Sequence, residues 1–199
     1  MKSHLNLYFK ELCDALAKVQ CSGVQGRVLD RAEAYERTLE IALGATERGG
    51  KLMFIGNGGS AGIASHMAID FSKNGGMAAM CFNDAAALTC LGNDFGYEEV
   101  FAKQLQFHAR RGDVLFAISS SGSSPNILRA VEVAHEIGCR VITVTGFRAD
   151  NPLRSQGEVN FHVGASDYGI VEVAHTALIH AVVDLRRAVR PLARAQVAD

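Results

Sequence analysis

His66 and Asp70 stand four residues apart in KLMFIGNGGSAGIASHMAIDF, residues 51–71 of the chain. On a helix that spacing sends both side chains from one face, so an imidazole and a carboxylate can act on the same small molecule. Just upstream, the turn Gly56-Asn57-Gly58-Gly59 separates an apolar run, Leu52 to Ile55, from a helix expected to open near Ser60. Glycines admit positive φ and let backbone N–H groups come close to a ligand. The helix start adds unpaired N–H groups and a partial positive charge, a natural seat for an anion. An anion seat with a His/carboxylate pair beyond it points to chemistry on a small phosphorylated molecule.

A second anion seat is spelled by Ser119-Ser120-Ser121-Gly122-Ser123-Ser124-Pro125, which follows the buried-strand run Val114 to Ile118. Serine hydroxyls donate, and the helix expected from Asn126 offers free N–H groups. A plain helix cap would also favour serine, but four serines around one glycine exceed what a cap needs. The glycine turn also fits the dinucleotide pattern G-x-G-x-x-A at Gly56, Gly58 and Ala61, with Asp84 available for a ribose. That oxidoreductase reading explains neither the serine turn nor the His66/Asp70 pair. No G-K-[ST] follows the glycines, which excludes a P-loop.

The elements that must position these residues alternate. Helices are expected over residues 3–19 and 29–48, then strands at Leu52–Ile55, Met77–Phe82, Val114–Ile118, Arg140–Thr145 and Val159–Val163. Helices fall between them, with Gly92 to Gly96 read as a loop and a long last helix over Ile170–Val189. Alternation of this kind means an α/β fold, a doubly wound five-stranded parallel sheet covered on both faces. The order 2-1-3-4-5 puts the glycine turn and the serine turn on one crevice at the topological switch. The whole of residues 1–199 reads as one domain, with helices in 1–48 serving packing or oligomerisation and an α/β core in 49–190.

Twenty basic against 21 acidic residues give a net charge of -1, which leaves no electrostatic footprint for nucleic acid. The amphipathic, charged N-terminus is not a signal sequence, and no uninterrupted apolar run reaches the roughly 18 residues of a membrane span. Five scattered cysteines without a C-x-x-C pair suit free thiols in a reducing cytoplasm.

GNGGSAGIASH, LTCLGNDFGYEEVFAKQ, GDVLFAISSSGSSPNILRA and a His-bearing last helix, in that order, resemble a sugar isomerase (SIS) domain. The likeness covers about residues 30–185 and is nearest the phosphoheptose isomerase branch, whose GNDFGYE-like segment is its more specific mark. That branch interconverts sedoheptulose 7-phosphate and D-glycero-D-manno-heptose 7-phosphate, the first step toward ADP- or GDP-heptose for lipopolysaccharide or other surface polysaccharide. The resemblance implies substrate or phosphate contacts at Asn57, Gly58, Gly59, Ser60, Asp70, Asn93, Asp94, Ser119, Ser120, Ser121, Ser124 and Glu172. It implies a base at Asp70 and an acid at His180. It also implies zinc on His66, Asp70, Glu172 and His180, no nucleotide cofactor, and a homotetramer.

Three departures stand against the family pattern. Asp70 replaces the usual Glu, Glu172 replaces the usual Gln, and AIDFSKNGGM lacks an expected arginine-bearing stretch. Glu172 and His180 would lie about 12 Å apart on a regular helix. Sharing one ion therefore requires Glu172 to precede the helix proper, or the two to serve different sites in an oligomer. Taken by itself, His180 on an apolar face also fits a core histidine. Two other functions stay open from the sequence: a non-catalytic SIS module that binds a sugar phosphate or a replication-initiator protein, and an isomerase of another sugar phosphate.

Overall fold

A computed structural model describes residues 1–189. The order is α1 (Lys2–Ala17), β1 (Gln20–Gly23), β2 (Val28–Leu29), α2 (Arg31–Glu47), β3 (Leu52–Gly56) and α3 (Gly59–Lys73). There follow β4 (Ala79–Cys81), α4 (Ala85–Phe95), α5 (Val100–His108), β5 (Val114–Ser119) and α6 (Pro125–Ile137). The described chain closes with β6 (Arg140–Gly146), a 3-10 turn at Pro152–Ser155, β7 (Val159–Val163) and α7 (Tyr168–Val189).

Every residue of β3, β5 and β7 is buried, as expected of strands covered on both faces. The sheet runs β2-β1-β7-β6-β5-β3-β4. Its five parallel strands thus take the expected order 2-1-3-4-5, with β3 directly paired to β5 from Leu52↔Val114 to Gly56↔Ile118. Two apolar cores form, one on each face. Phe54, Phe71 and Phe116 anchor the core beneath α2, α3 and α7, with Phe54 stacked on Phe116 at 4.7 Å. Met53, Ile55, Leu115, Phe101 and Val131 anchor the core beneath α5 and α6.

The sheet has seven strands rather than five. The hairpin β1–β2 adds antiparallel to β7, pairing Cys21 with Phe161 and Ser22 with Asn160. Its turn uses left-handed backbone at Gln25 and Gly26. The hairpin fills residues 20–29, which the sequence reading left between two helices except for Leu29, and α2 starts only where the Asp30 carboxylate accepts from the Glu33 N–H at 2.8 Å. A second correction concerns Gly92–Gly96, which is not a loop. The helix α4 continues through Asn93 and Asp94 to Phe95, and Gly96, at φ 88°, ends it.

By length and composition α7 is apolar enough to cross a membrane, which the search for an uninterrupted apolar run did not anticipate. Its stripe Ile170, Val171, Ala174, Leu178, Ile179, Val182 and Val183 is instead buried in the core. Its length serves packing against α1, α2 and α3.

Candidate active site

The two turns meet because β3 and β5 are neighbours. Asn57 leaves β3 and Asn126 opens α6, and their amides exchange two hydrogen bonds, each 2.9 Å. The Tyr97 hydroxyl donates to Asn57 Oδ1 at 3.1 Å. Arg129 holds the Tyr97 segment in place through Glu99, 3.0 Å away. Asn57 is therefore a clamp between the two turns, its amide committed to protein partners.

The serine turn is shaped by Gly122. Its φ is 62°, and a β-carbon there would stand 1.9 Å from Asn151 Oδ1, so only glycine lets the turn close over Asn151. Asn151 in turn donates to the Arg148 carbonyl at 2.7 Å. Ser119 Oγ accepts from the Gly122 N–H at 3.1 Å, and Ser121 Oγ from the Ser123 N–H at 3.3 Å. Ser120 is buried and its hydroxyl has no protein partner. A pocket of about 110 Å³ is lined by Asn57, Ser60, Ser119, Ser120, Ser121, Ser124, Tyr168 and Glu172. A buried hydroxyl without a partner, beside the start of α6, is what an anionic ligand would complete.

Glu172 also reaches the glycine turn. A β-carbon on Gly59 would lie 2.1 Å from its Oε2, so the carboxyl group rests on the first residue of α3. The positive end of that helix favours a carboxylate. The chain's own acid thus lies beside the first residue of α3 and on the wall of the serine pocket.

Eight residues further along α7, His180 meets the other end of the same pair of helices. Its Nε2 lies 3.0 Å from His66 Nε2, and its Nδ1 lies 3.2 Å from Asp70 Oδ2. Asn74 donates to Asp70 Oδ1 from the end of α3. His66, Asp70 and Asn74 form one stripe of α3 at spacing four, and His180 from the parallel α7 lies against it. Asp70 is mostly enclosed, its side chain 12% exposed, whereas His66 opens to solvent.

This geometry corrects the implied metal site. The helix α7 is continuous from Tyr168, so Glu172 sits inside it, two turns from His180, and meets Gly59 instead. Asp70 faces the Nδ1 edge of His180 while His66 faces the Nε2 edge, so the three do not converge on one point. Among the described residues no group of three or more His, Cys, Asp or Glu is arranged to hold a metal ion. The four side chains of one chain do not fit zinc.

Asn93 and Asp94 are exposed on the last turn of α4, where Asn93 donates to Asp94 at 2.8 Å, apart from the residues that line the serine pocket. Asp84, the residue an oxidoreductase would need for its ribose, caps α4 by accepting from the Ala87 N–H at 2.9 Å. Sequence reasoning missed Asn74, Tyr97, Asn126, Asn151 and Tyr168. Of these only Asn74 carried a local signal, as the third member of the spacing-four stripe.

A larger cavity, about 630 Å³, lies at the β1–β2 hairpin and is lined by Cys21, Arg31 and Arg154 among others. Its two arginines are spent on the carbonyls of Ala17 and Ala149, and none of the His66, Asp70 and His180 groups reaches it. The unpartnered Ser120 hydroxyl lies on the smaller pocket.

Residues 20–146 match the family model of the SIS domain. The phosphoheptose isomerase of Citrifermentans bemidjiense is 32% identical over 177 residues, spanning 86% of this chain and 92% of that protein. That of Helicobacter hepaticus is 33% identical over 165 residues, spanning 80% and 84%. Among solved structures, the phosphoheptose isomerase of Neisseria gonorrhoeae superposes with a TM-score of 0.80 at 32% identity, over 93% of this chain and 98% of its own. That of Francisella tularensis gives 0.79 at 25% identity, over 94% and 98%. With the SIS model covering well over half the chain, and relatives matched over most of their length, the chain belongs to the SIS domain family, in its phosphoheptose isomerase branch.

Proposed function

We propose that this chain is an aldose–ketose isomerase that interconverts sedoheptulose 7-phosphate and D-glycero-D-manno-heptose 7-phosphate, the entry step of heptose synthesis. The observation that carries the reading is the pairing of two features that α3 and α7 both border. One is a serine pocket with an unpartnered buried hydroxyl, the other an Asp70–His180–His66 cluster two helical turns away. From Gly59 to His66 is about 10 Å along the helix axis. An extended seven-carbon chain with a terminal phosphate is also about 10 Å long, so the phosphate and the reacting end fit the two features together.

In the ketose-to-aldose direction the Asp70–His180 couple takes a proton from C1 while the C2 carbonyl oxygen gains one, giving an enediol. The couple then returns a proton to C2 and the C1 hydroxyl releases its own, which leaves an aldehyde at C1. No electron leaves the sugar, so no redox cofactor enters the balance. An imidazole can both accept and give a proton, which suits both transfers. The phosphate binds Ser119, Ser120, Ser121 and Ser124 with the N-terminus of α6, and Ser60, Gly58 and Gly59 form the opposite wall.

Free thiols at Cys13, Cys21, Cys81, Cys90 and Cys139 suit work in a reducing cytoplasm. The helix α1 has no buried residue and exposes Leu5, Leu7, Tyr8 and Phe9, which supports burial against other copies in a homotetramer. The reading is tested by turnover of a panel of ketose phosphates of five, six and seven carbons. It expects the highest kcat/KM on the seven-carbon ketose and fails if the shorter sugars are preferred or none reacts.

A further inference from the structure

We infer that the cavity at the β1–β2 hairpin is a second ligand site, one that takes a small phosphate-bearing molecule and is separate from the serine pocket. It is built from residues that the isomerase reading does not use, so it stands apart from that reading.

Strand alternation decides which way Ser22 faces. Cys21 and its register partner Phe161 belong to the core beneath α2, α3 and α7, so Ser22 and its partner Asn160 face the other side of the sheet. The 3-10 turn Pro152–Ser155 packs against β1 and β7 on that side, and its Leu153 joins the core beneath α5 and α6. Ser22 therefore looks toward the segment that lines the cavity with it, Asn151, Arg154 and Ser155 among its residues. Ser22 is 4% exposed, and among the described residues its hydroxyl has no partner. A buried hydroxyl left open on a cavity of about 630 Å³ is a group that a polar ligand would complete.

The cationic wall comes from Arg31, the first residue of α2, and from Arg154. Arg31 donates to the Ala17 carbonyl at 2.8 Å, and Arg154 to the Gln20 side-chain oxygen at 2.8 Å and the Ala149 carbonyl at 3.0 Å. Ala17 and Gln20 are three positions apart, at most about 11 Å along the chain, so both forks are anchored to one short connection. A guanidinium carries five N–H groups, and these bonds fix each fork while leaving donors over. The carboxylates on the wall are engaged elsewhere. Asp30 caps α2, and Asp150 accepts both bonds of Arg148, at 2.9 and 2.7 Å. Among the described residues neither Arg31 nor Arg154 is paired with a carboxylate.

One fork saturates a carboxylate, whereas two forks and a hydroxyl match the three outer oxygens of a phosphate. Val19, Val28 and Leu29 supply an apolar side to the same cavity. Its volume, against about 110 Å³ at the serine pocket, leaves room for an organic body beside the phosphate.

The experiment is equilibrium dialysis of the full chain against labelled inorganic phosphate, with the melting temperature of each variant as a check on folding. The parent should hold two phosphates per chain. Ser120→Ala should weaken one of them, and Arg31→Gln combined with Arg154→Gln the other, each about tenfold or more. Ser22→Ala removes no protein hydrogen bond and should weaken the same phosphate as the arginine pair. Acetate should displace that phosphate only at a concentration about tenfold higher or more; displacement at equal concentration overturns the assignment to phosphate. A single phosphate per chain that is lost in Ser120→Ala and unchanged in Ser22→Ala overturns the site. So does a second phosphate that survives both Ser22→Ala and the arginine pair. Should the paired arginine variant fail to fold, Ser22→Ala alone decides. Turnover of sedoheptulose 7-phosphate judges the isomerase reading, and its outcome leaves this count unaffected.

Discussion

The carboxyl group of Glu172 rests on the α-carbon of Gly59, and a β-carbon there would lie 2.1 Å from its Oε2. This contact locks the start of α3 to the start of α7 and sets a negative charge on the wall of the serine pocket. A dianionic phosphate entering that pocket is repelled by it. Glu172→Gln should therefore lower KM for a sugar phosphate by roughly fivefold, the effect of about 1 kcal/mol between like charges at short range in partly aqueous surroundings. An unchanged KM would place the phosphate away from Glu172.

The unpartnered Ser120 hydroxyl gives a cleaner probe of the seat itself. Ser120→Ala removes no protein hydrogen bond, so thermal stability should hold within a few degrees. It should still raise KM about tenfold or more, because a hydrogen bond to a charged group is worth about 1.5–3 kcal/mol. Stability loss without a KM change would make Ser120 a packing residue.

Gly122→Ala is expected to be structural. The substituent would collide with Asn151 and force a left-handed backbone on a residue that resists it. A loss of about 2–4 kcal/mol follows from overpacking and backbone strain together, read as a lower midpoint in urea. A variant as stable as the parent would show that the turn can open away from Asn151.

Much of this arrangement was legible in the sequence because it depends on local chemistry. Continuous apolar runs announced β3, β5 and β6, and Gly138 announced the end of α6. Alternation announced a parallel sheet, and the doubly wound order 2-1-3-4-5 supposed for it is the order found. The hairpin at residues 20–29 was not legible, since its strands are short and gain stability only by pairing with β7, about 140 positions away in sequence. Asp30 and Glu33, a D-x-x-E pair, did mark the true start of α2. The Asn57–Asn126 clamp and the Asn151 prop under Gly122 join distant segments, so no spacing could reveal them. Glu172 was legible as a departure from the family pattern, but its seat on Gly59 depends on α3 and α7 running parallel.

Acid should weaken the fold through two buried histidines. Burial holds both His162 and His175 down to about 4, against an ordinary value near 6.5. The His175 Nε2–H donates to the Thr145 carbonyl at 2.9 Å, a bond that pulls the other way but is outweighed by burial. Between pH 6.5 and 4 the unfolded chain binds protons that the folded chain refuses, so stability falls as pH falls through that window. Above pH 6.5 neither group contributes, and each accounts for about 3 kcal/mol by pH 4. Urea midpoints from pH 7.5 to 4.5 check this, and His162→Asn should flatten the slope. An equal slope in that variant would contradict the assignment.

Assembly is checked by light scattering. The exposed apolar face of α1 leads to a particle four times the 21.3 kDa chain, and Leu5→Glu with Phe9→Glu should dissociate it. A parent protein that scatters as a single chain would leave that face without its proposed cover.

The central claim is proton transfer between C1 and C2 of a seven-carbon sugar phosphate, and the most direct test is the reaction in heavy water followed by NMR. With sedoheptulose 7-phosphate the account predicts an aldose 7-phosphate that carries deuterium at C2, because the proton taken from C1 exchanges with solvent before a hydrogen is returned. A ketose that binds but keeps its C1 hydrogens and yields no aldose would contradict it.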